Sequence, residues 1–272
     1  MKKIFRIFSK KIAIIFFGQL SKLLSKIEYK LIPSINEIEK NQFEYSKITR
    51  RLVYKSPENK IPKIIIDTSH FQSELCKLGA LYGTNKSALN LKGHRSGYTP
   101  FYEILFRDYK DKLINFAEIG IERNSSIKMW RKFFSKAKIY ALEYDLNKIA
   151  FAKKQKLNNT IYKFIDVGDQ SSIESTFKNI NKKFDIIIDD STHWFNDQIN
   201  IIKKTNKYLK KNGLLIIEDI YKFRKDHQEK NYFKKLSVLK NIFKKIYFVE
   251  FHNINNYTAS WKCEKILVLE KY

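Results

Sequence analysis

Two short apolar segments of the chain each end in a pair of acidic residues. Residues 184–193 read FDIIIDDSTH, and residues 213–219 read GLLIIED. Apolar runs of this length are typical of buried parallel strands, and ligands of open parallel sheets bind beyond the carboxyl ends of such strands. If the two strands are neighbours, their ends lie about 5 Å apart. Four carboxylates and the imidazole of His193 would then crowd one place.

Crowded carboxylates repel one another, so this arrangement indicates a bound cation. Oxygen ligands of this kind favour magnesium, calcium or manganese over zinc. The two segments therefore predict a site for a hard divalent metal ion.

Three earlier predicted strands also end in residues that could bind a ligand. The first ends at residues 117–121, where Gly120 lets the backbone approach a ligand closely. The second ends at Glu143, whose carboxylate can accept hydrogen bonds from both hydroxyls of a ribose. The third leads into residues 166–170, DVGDQ, whose polar side chains could meet an adenine edge. Their order on successive strands is a stronger indication of a binding site than any one of them alone.

The elements that position these residues alternate regularly. The sequence predicts helices at 71–81 and 98–109, then strands at 113–119, 138–142, 160–164, 184–188 and 214–217 separated by helices at 125–134, 147–156, 172–179 and 195–209, a helix at 232–242, and closing strands at 245–251 and 265–269. This alternation predicts an α/β fold, a doubly wound and mostly parallel Rossmann-like sheet with helices on both faces. The closing strands, which no helix joins, predict an antiparallel pair at the sheet edge.

The N-terminal part of the chain differs from the rest. Residues 1–35 are strongly basic and contain the apolar run IAIIFF at 12–17, which is too short to span a bilayer. They predict a basic amphipathic helical extension. Two interpretations remain open: a helix on an anionic membrane surface, or a helix packed on the body or on another subunit of a homo-oligomer. Residues 36–70 are predicted to be a connector, and residues 71–272 the main domain.

The charge balance bears on partners and location. The chain has 272 residues and a formal net charge of +25, so a nucleic acid or an anionic membrane must be considered. We expect no nucleic-acid partner, because the basic residues are spread along the chain and no RNA-binding or DNA-binding motif is present. The two cysteines, Cys76 and Cys263, are far apart in sequence and are not expected to form a disulfide framework. A cytoplasmic protein is expected, peripheral to the inner face of a membrane if the N-terminal helix binds there.

Several motifs together carry a family resemblance across roughly residues 75–220. They are Gly83-Thr84-Asn85-Lys86, YTPFY at 98–102, Glu118-Ile119-Gly120, SIKMW at 126–130, Gly168-Asp169-Gln170, DDSTH at 189–193 followed by Gln198, and Glu218-Asp219. In these the sequence resembles the class I S-adenosylmethionine-dependent methyltransferases. More narrowly, it is similar to the metal-dependent sugar O-methyltransferases that include the macrocin and mycinamicin enzymes.

The resemblance implies S-adenosylmethionine as methyl donor, Mg²⁺ or another hard divalent cation, and a sugar hydroxyl of a glycan precursor or nucleotide sugar as acceptor. It implies His193 as general base, Asp190, Glu218 and Asp219 as metal ligands, donor contacts at Glu118, Gly120, Glu143, Asp169, Gln170 and Asp189, and acceptor contacts at Tyr98, Tyr102 and His94. The chemistry agrees, because a metal lowers the pKa of a bound hydroxyl and an imidazole can take the proton.

The chain also departs from that family, and other functions compete. Residues 122–124, ERN, stand where more glycine is usual, which predicts weaker donor binding or another path for the loop. Asn85 and Glu143 each stand where aspartate is common. A nicotinamide dehydrogenase would need a G-x-G-x-x-G turn that the sequence lacks. A non-catalytic, membrane-peripheral S-adenosylmethionine-binding module and an O-methyltransferase with a non-sugar acceptor remain as alternatives.

Overall fold

Eight strands form one sheet in the computed structural model, which describes residues 61–69, 72–90, 95–252 and 265–272. The strands are β1 (Lys63–Asp67), β2 (Asn115–Ile119), β3 (Lys138–Glu143), β4 (Thr160–Phe164), β5 (Phe184–Asp189), β6 (Leu209–Ile217), β7 (Phe243–His252) and β8 (Lys265–Lys271). The α-helices are α1 (Glu74–Tyr82), α2 (Thr99–Phe106), α3 (Ser125–Phe133), α4 (Leu146–Lys154), α5 (Gln170–Ile180), α6 (Phe195–Thr205) and α7 (Glu229–Leu236). Short 3-10 turns follow three of them, at Arg107–Tyr109, Asn206–Tyr208 and Ser237–Leu239.

The strand order is β1-β7-β8-β6-β5-β2-β3-β4. Neighbouring strands run parallel except at β8, which is antiparallel to both β6 and β7. The central strand β5 places Ile186, Ile187 and Ile188 in the core, all fully buried. A continuous apolar run is what a strand needs when helices cover both faces of its sheet.

Two hydrophobic cores lie on opposite faces of this sheet. Helices α1 to α4 contribute to the first, which holds Tyr102 and Trp130. Helices α5 to α7 contribute to the second, which holds Phe177, Ile199 and Tyr232. The predicted doubly wound, mostly parallel α/β fold is therefore confirmed.

The strand order reverses between β2 and β5. The chain moves outward from β2 through β3 to β4 and then returns to β5 on the other side of β2. At this switch point the strand ends are level, because Ile119 pairs with Asp189 and Asp189 with Ile217. Ligands of doubly wound sheets bind in the crevice at such a point.

The structure differs from three expectations drawn from the sequence, which concern β1, the antiparallel pair and the start of β6. Residues 36–70 were expected to be a connector, but β1 lies in this range and pairs in parallel with β7. The antiparallel pair therefore lies inside the sheet rather than at its edge. Four of the five β1 residues are exposed, although its sequence, KIIID, contains an apolar run like those of the buried strands. Strand β6 also begins at Leu209, within the range predicted as helix.

The N-terminal extension lies outside the described residues, so its predicted helix and membrane contact are not tested here. In the described part of the chain, helices are too short or too polar to cross a bilayer.

Candidate active site

A cavity of about 1070 Å³ opens at the carboxyl ends of the central strands. Its wall includes Gly120 after β2, Glu143 at the end of β3, Asp166 after β4, and Asp190 and His193 after β5. Ligand pockets commonly enclose roughly 300–1000 Å³. The cavity therefore has room for a nucleoside-sized molecule and a second reactant.

Behind the cavity wall, a buried lysine joins the acidic residues of three strand ends. Lys86 is 1 % exposed, and its Nζ lies 2.5 Å from Asp190 Oδ2, 2.5 Å from Glu218 Oε2 and 3.2 Å from Glu118 Oε1. A buried charge is tolerated only when it is paired and hydrogen-bonded. The chain itself thus provides one of the cations that the crowded carboxylates need.

Two buried tyrosines complete the hydrogen bonding of the acid pair that follows β6. Tyr102 donates its hydroxyl hydrogen to Glu218 Oε1 at 2.6 Å, and Tyr98 donates to Asp219 Oδ1 at 2.6 Å. Gln198 donates from Nε2 to the backbone carbonyl of Glu218 at 3.0 Å. These contacts fix the direction of both carboxylates.

The protonation equilibria reflect the excess of acids in this place. Burial alone would lower the pKa of Lys86, but Asp190, Glu218 and Glu118 outweigh burial and raise it well above its usual value. Burial raises the pKa of Glu118 to about 7, with Lys86 opposing. Burial also raises the pKa of Glu218 well above its usual value and that of Asp219 in the same direction. The acids of the cluster outnumber the one lysine that faces them, and repulsion from Asp190 adds to burial in raising each of these carboxyl pKa values.

Asp190, His193 and Asp219 converge beside this lysine. Each offers one ligand atom, and these three atoms lie within 4.8 Å of one another. His193 Nε2 is 3.6 Å from Asp219 Oδ2. His193 and Asp219 both adopt left-handed backbone conformations, with φ of 58° and 53°, and such strain is concentrated at functional sites. Two carboxylates, one imidazole and the excess negative charge fit a hard divalent cation.

The turn after β2 approaches the strand β5 end so closely that only glycine fits. Gly120 has φ 89°, and a Cβ atom there would lie 2.1 Å from the carbonyl oxygen of Asp190. The following residues Glu122 and Asn124 also have positive φ, 41° and 66°. Buried Asn124 donates from Nδ2 to Tyr162 Oη at 2.9 Å and to Gln155 Oε1 at 3.0 Å. Hydrogen bonds of the Asn124 side chain thus hold this turn, with its positive φ angles, where more glycine is usual in the family that the sequence resembles.

Glu143 ties this turn to the end of β3. Its Oε2 accepts hydrogen bonds from the backbone N–H groups of Ile121 and Glu122, and its Oε1 accepts from those of Tyr144 and Asp145, at 2.9–3.2 Å. The carboxylate lines the cavity but is already well satisfied by the backbone. A ribose bound here would have to share or displace these donors.

The sequence pattern of the family described as "Methyltransferase domain" matches residues 123–261, about half of the chain. The chain belongs to this methyltransferase family. The resemblance drawn from the sequence motifs is therefore confirmed.

Relatives and a solved structure agree with this assignment. The chain is 27 % identical over 132 residues to demethylmacrocin O-methyltransferase of Streptomyces fradiae, covering 46 % of this chain and 32 % of the relative. It is 28 % identical over 162 residues to mycinamicin VI 2''-O-methyltransferase of Micromonospora griseorubida, covering 54 % and 36 %. The matched segments thus span about a third of these relatives. A structure of the MycE methyltransferase of mycinamycin biosynthesis, with Mg and SAH, superposes with a TM-score of 0.54 at 20 % identity over 74 % of this chain and 55 % of that chain, which supports the fold.

The methyltransferase domain brings together only part of the donor set expected from sequence. Gly120 and Glu143 line the cavity, whereas Glu118 and Asp189 are buried behind its wall. Asp189 Oδ1 accepts a hydrogen bond from Ser191 Oγ at 2.6 Å and so supports the loop that carries His193. Asp169 and Gln170 are exposed, and Asp169 caps the N-terminus of α5. Asp166, three residues earlier, lines the cavity instead.

The expected metal and acceptor residues are also arranged differently. Asp190 and Asp219 lie where the sequence predicted, but Glu218 faces Lys86 and Tyr102, and His193 joins the convergent group instead. Tyr98 and Tyr102, the expected acceptor contacts, are buried and bonded to the acid pair and do not line the cavity. His94 lies outside the described residues.

Lys86 is the functional residue that the sequence reasoning missed. It precedes Asp190 by 104 residues and Glu218 by 132, so no local pattern connects them. The one available signal was its place in the Gly83-Thr84-Asn85-Lys86 motif, which carried the resemblance without indicating a role.

Proposed function

We propose that this methyltransferase transfers a methyl group from S-adenosylmethionine to a hydroxyl group of a sugar, with a divalent metal ion and His193 as general base. One observation carries the proposal: Asp190 and His193 lie in the wall of the same cavity as Gly120 and Glu143, at the switch point of the sheet. The residues expected to bind the methyl donor and the residues expected to bind the metal and the proton thus line one cavity.

We keep Asp190, Glu218 and Asp219 as the proposed metal ligands, because each Glu218 oxygen that accepts from Lys86 or Tyr102 has a second lone pair for a metal ion. His193, which lies beside this group, is then free to act as the base. A metal ion bound to them would lower the pKa of an acceptor hydroxyl and orient it. His193 then takes the hydroxyl proton, and Asp219, at 3.6 Å, stabilises the imidazolium that results. Gly120 lets the donor approach the end of β5, because no side chain separates it from Asp190. Methyl transfer then depends mainly on alignment of the two reactants.

The rim of the cavity supports a sugar acceptor. Trp194 follows His193 directly, lines the cavity and is 56 % exposed. The guanidinium carbon of Arg224 lies 4.5 Å from the centre of the Trp194 ring and 5.2 Å from that of Tyr221. An exposed aromatic face of this kind can pack against the apolar face of a sugar ring. A relative from Streptomyces olivaceus, whose name describes 3'-O-methylation of a rhamnosyl-tetracenomycin, points to the same acceptor class.

The test is a donor-turnover screen that measures S-adenosylhomocysteine formation. Demethylmacrocin, mycinamicin VI and a panel of nucleotide sugars serve as sugar acceptors, and catechol serves as a diol without a sugar. Each reaction is run with Mg²⁺ and after exhaustive EDTA treatment. We expect Mg²⁺-dependent turnover of a sugar, reduced about 10²–10⁴-fold in His193→Ala. The matched control is His252→Ala, a histidine exposed on β7, which should keep wild-type turnover.

Each other result has a defined meaning. Full activity after EDTA treatment excludes the metal-assisted mechanism. Turnover of catechol alone favours a non-sugar acceptor. Donor binding without turnover of any acceptor favours the non-catalytic binding module.

We also propose that residues 1–35 hold the enzyme at an anionic membrane surface. Their basic side chains support this, since each cation near such a surface contributes roughly 1 kcal/mol. Co-sedimentation of full-length and truncated protein with anionic vesicles at low salt tests it. If neither form sediments, the segment has another role, such as assembly.

A further inference from the structure

His193 stands on a strained loop that needs external support. Its φ of 58° is unfavourable for a residue with a side chain, so neighbouring contacts must hold it. Ser191 is held by Asp189, and Thr192 Oγ1 donates to Asp197 Oδ2 at 2.6 Å. These bonds fix the residues before His193. The backbone carbonyl group of His193 itself is hydrogen-bonded by a residue from another part of the chain.

His227 supplies that contact. Its Nε2 lies 2.9 Å from the backbone carbonyl oxygen of His193. A carbonyl oxygen can only accept, so His227 must carry a proton on Nε2 and donate it. The segment that carries His227 lies between β6 and α7, beyond Asp219. The bond therefore joins the loop that carries the proposed base to the chain segment that carries its acidic neighbour.

The His227 ring is itself firmly held. It is fully buried, with ring centroids 5.3 Å from Tyr221, 6.2 Å from Phe195 and 6.3 Å from Tyr232. Its other ring nitrogen, Nδ1, lies 3.0 Å from Asp226 Oδ1, and its backbone N–H donates to the same oxygen at 3.1 Å. Both contacts are hydrogen bonds when each ring nitrogen carries a proton, as in an imidazolium beside the Asp226 carboxylate. Together with the aromatic neighbours, these bonds keep the ring from turning away from His193.

We propose that His227 is a positioning residue that acts through His193. By holding the His193 carbonyl, it keeps that imidazole beside Asp219 and the cavity. This inference rests on the proposed role of His193 as general base. Contacts that orient metal-binding histidines typically change activity or affinity by about 10–100-fold when they are removed, and we expect an effect of similar size here.

Two substitutions separate the two ring contacts. In His227→Gln the side-chain amide nitrogen can occupy the position of Nε2 and still donate to His193. In His227→Asn the shorter amide reaches only the position of Nδ1, so the contact with Asp226 is kept and the bond to His193 is lost. Phe195→Leu is the packing control, since Phe195 touches the same ring without bonding to His193.

The variants are compared by hydrogen exchange, S-adenosylhomocysteine affinity, and kinetics with the sugar acceptor that gives turnover. We expect His227→Asn to speed amide exchange in residues 191–194 and to lower kcat about tenfold or more, with KM and S-adenosylhomocysteine affinity within about twofold. His227→Gln should restore both properties toward wild type. In a His193→Ala background, His227→Asn should lower kcat no further.

Three results would overturn the inference: unchanged exchange at residues 191–194 in His227→Asn, the same loss in Phe195→Leu, or an equal loss of kcat with and without His193. The exchange measurement needs no acceptor, so it decides the positioning role even if the proposed reaction fails. A His193→Ala variant with the wild-type rate would instead refute the general base, independently of the exchange result.

Discussion

Replacing Lys86 with methionine tests whether the buried lysine is an integral part of the acid cluster. Methionine has a similar length but no charge, so Glu118, Asp190 and Glu218 would lose their shared partner. Removing one member of a buried ion pair typically costs about 3–5 kcal/mol, because the remaining charge is left uncompensated. At about 2–4 °C per kcal/mol for a domain of this size, Tm should fall by roughly 6–20 °C.

The assay is thermal unfolding of metal-free protein at neutral pH, with Lys110→Met as control. Lys110 Nζ is also 2.5 Å from a carboxylate, that of Glu74, but the two side chains are 35 % and 52 % exposed. An exposed pair of this kind contributes less than about 1 kcal/mol. The two variants thus differ in burial while the ion-pair distance is the same.

Added Mg²⁺ provides the second arm of this test. It should raise the Tm of Lys86→Met more than that of wild type, because ligand binding to the folded state stabilises it and the variant has more unpaired carboxylates. Equal losses of Tm in Lys86→Met and Lys110→Met would refute the reasoning, since burial would then make no difference.

Three further predictions concern the donor side and the buried acids. Burial raises the pKa of Glu118 and of Asp189 to about 7, so the stability that their protonated forms contribute is present below about pH 4 and is lost as pH rises through 7. The Tm of metal-free wild type should therefore fall relative to that of metal-free Glu118→Gln between pH 5 and 8. A Tm difference that stays constant over this range would contradict this. Gly120→Ala should cost about 3 kcal/mol or more and abolish S-adenosylhomocysteine binding, because its Cβ meets the Asp190 backbone, whereas Gly83→Ala, with φ 72° and open space around it, should cost about 1 kcal/mol. Glu143→Ala should weaken S-adenosylhomocysteine binding about tenfold, or 1.4 kcal/mol, by calorimetry, and unchanged affinity would remove Glu143 from the donor site.

The sequence predicted the central strands because both of their faces are buried. In β5 and β6 every residue near the strand end is apolar until the acids begin, so the pattern marks both the strand and the place where the site starts. Parallel pairing then forces Asp189 and Ile217 to the same level. Convergence of the acids follows from the topology, and it could be predicted before any side chain was placed.

Other features could not be predicted, because no regular spacing of apolar residues in the sequence indicates them. Strand β1 has the apolar sequence KIIID, but it stands outside the regular alternation of strands and helices that marks the other strands. After β4, the position of the turn decides that Asp166 lines the cavity while Asp169 caps α5, and both residues are acidic and adjacent to the same strand. The support of His193 by His227 joins two loops 34 residues apart, which only the folded chain shows.

Lys86 changes the meaning of the acid cluster. The crowding of carboxylates predicted a metal ion, but the chain supplies one cation itself, because this lysine links Glu118 at the end of β2 to Asp190 and Glu218, two of the proposed metal ligands. With Glu118, Asp190, Glu218 and Asp219 ionised, Lys86 and a single divalent ion offset three of the four negative charges. In the proposed mechanism His193 gains the proton that the acceptor hydroxyl loses, so the transfer leaves the net charge of the site unchanged. The one negative charge that remains is thereby moved from the protein to the acceptor oxygen, where it makes that oxygen nucleophilic.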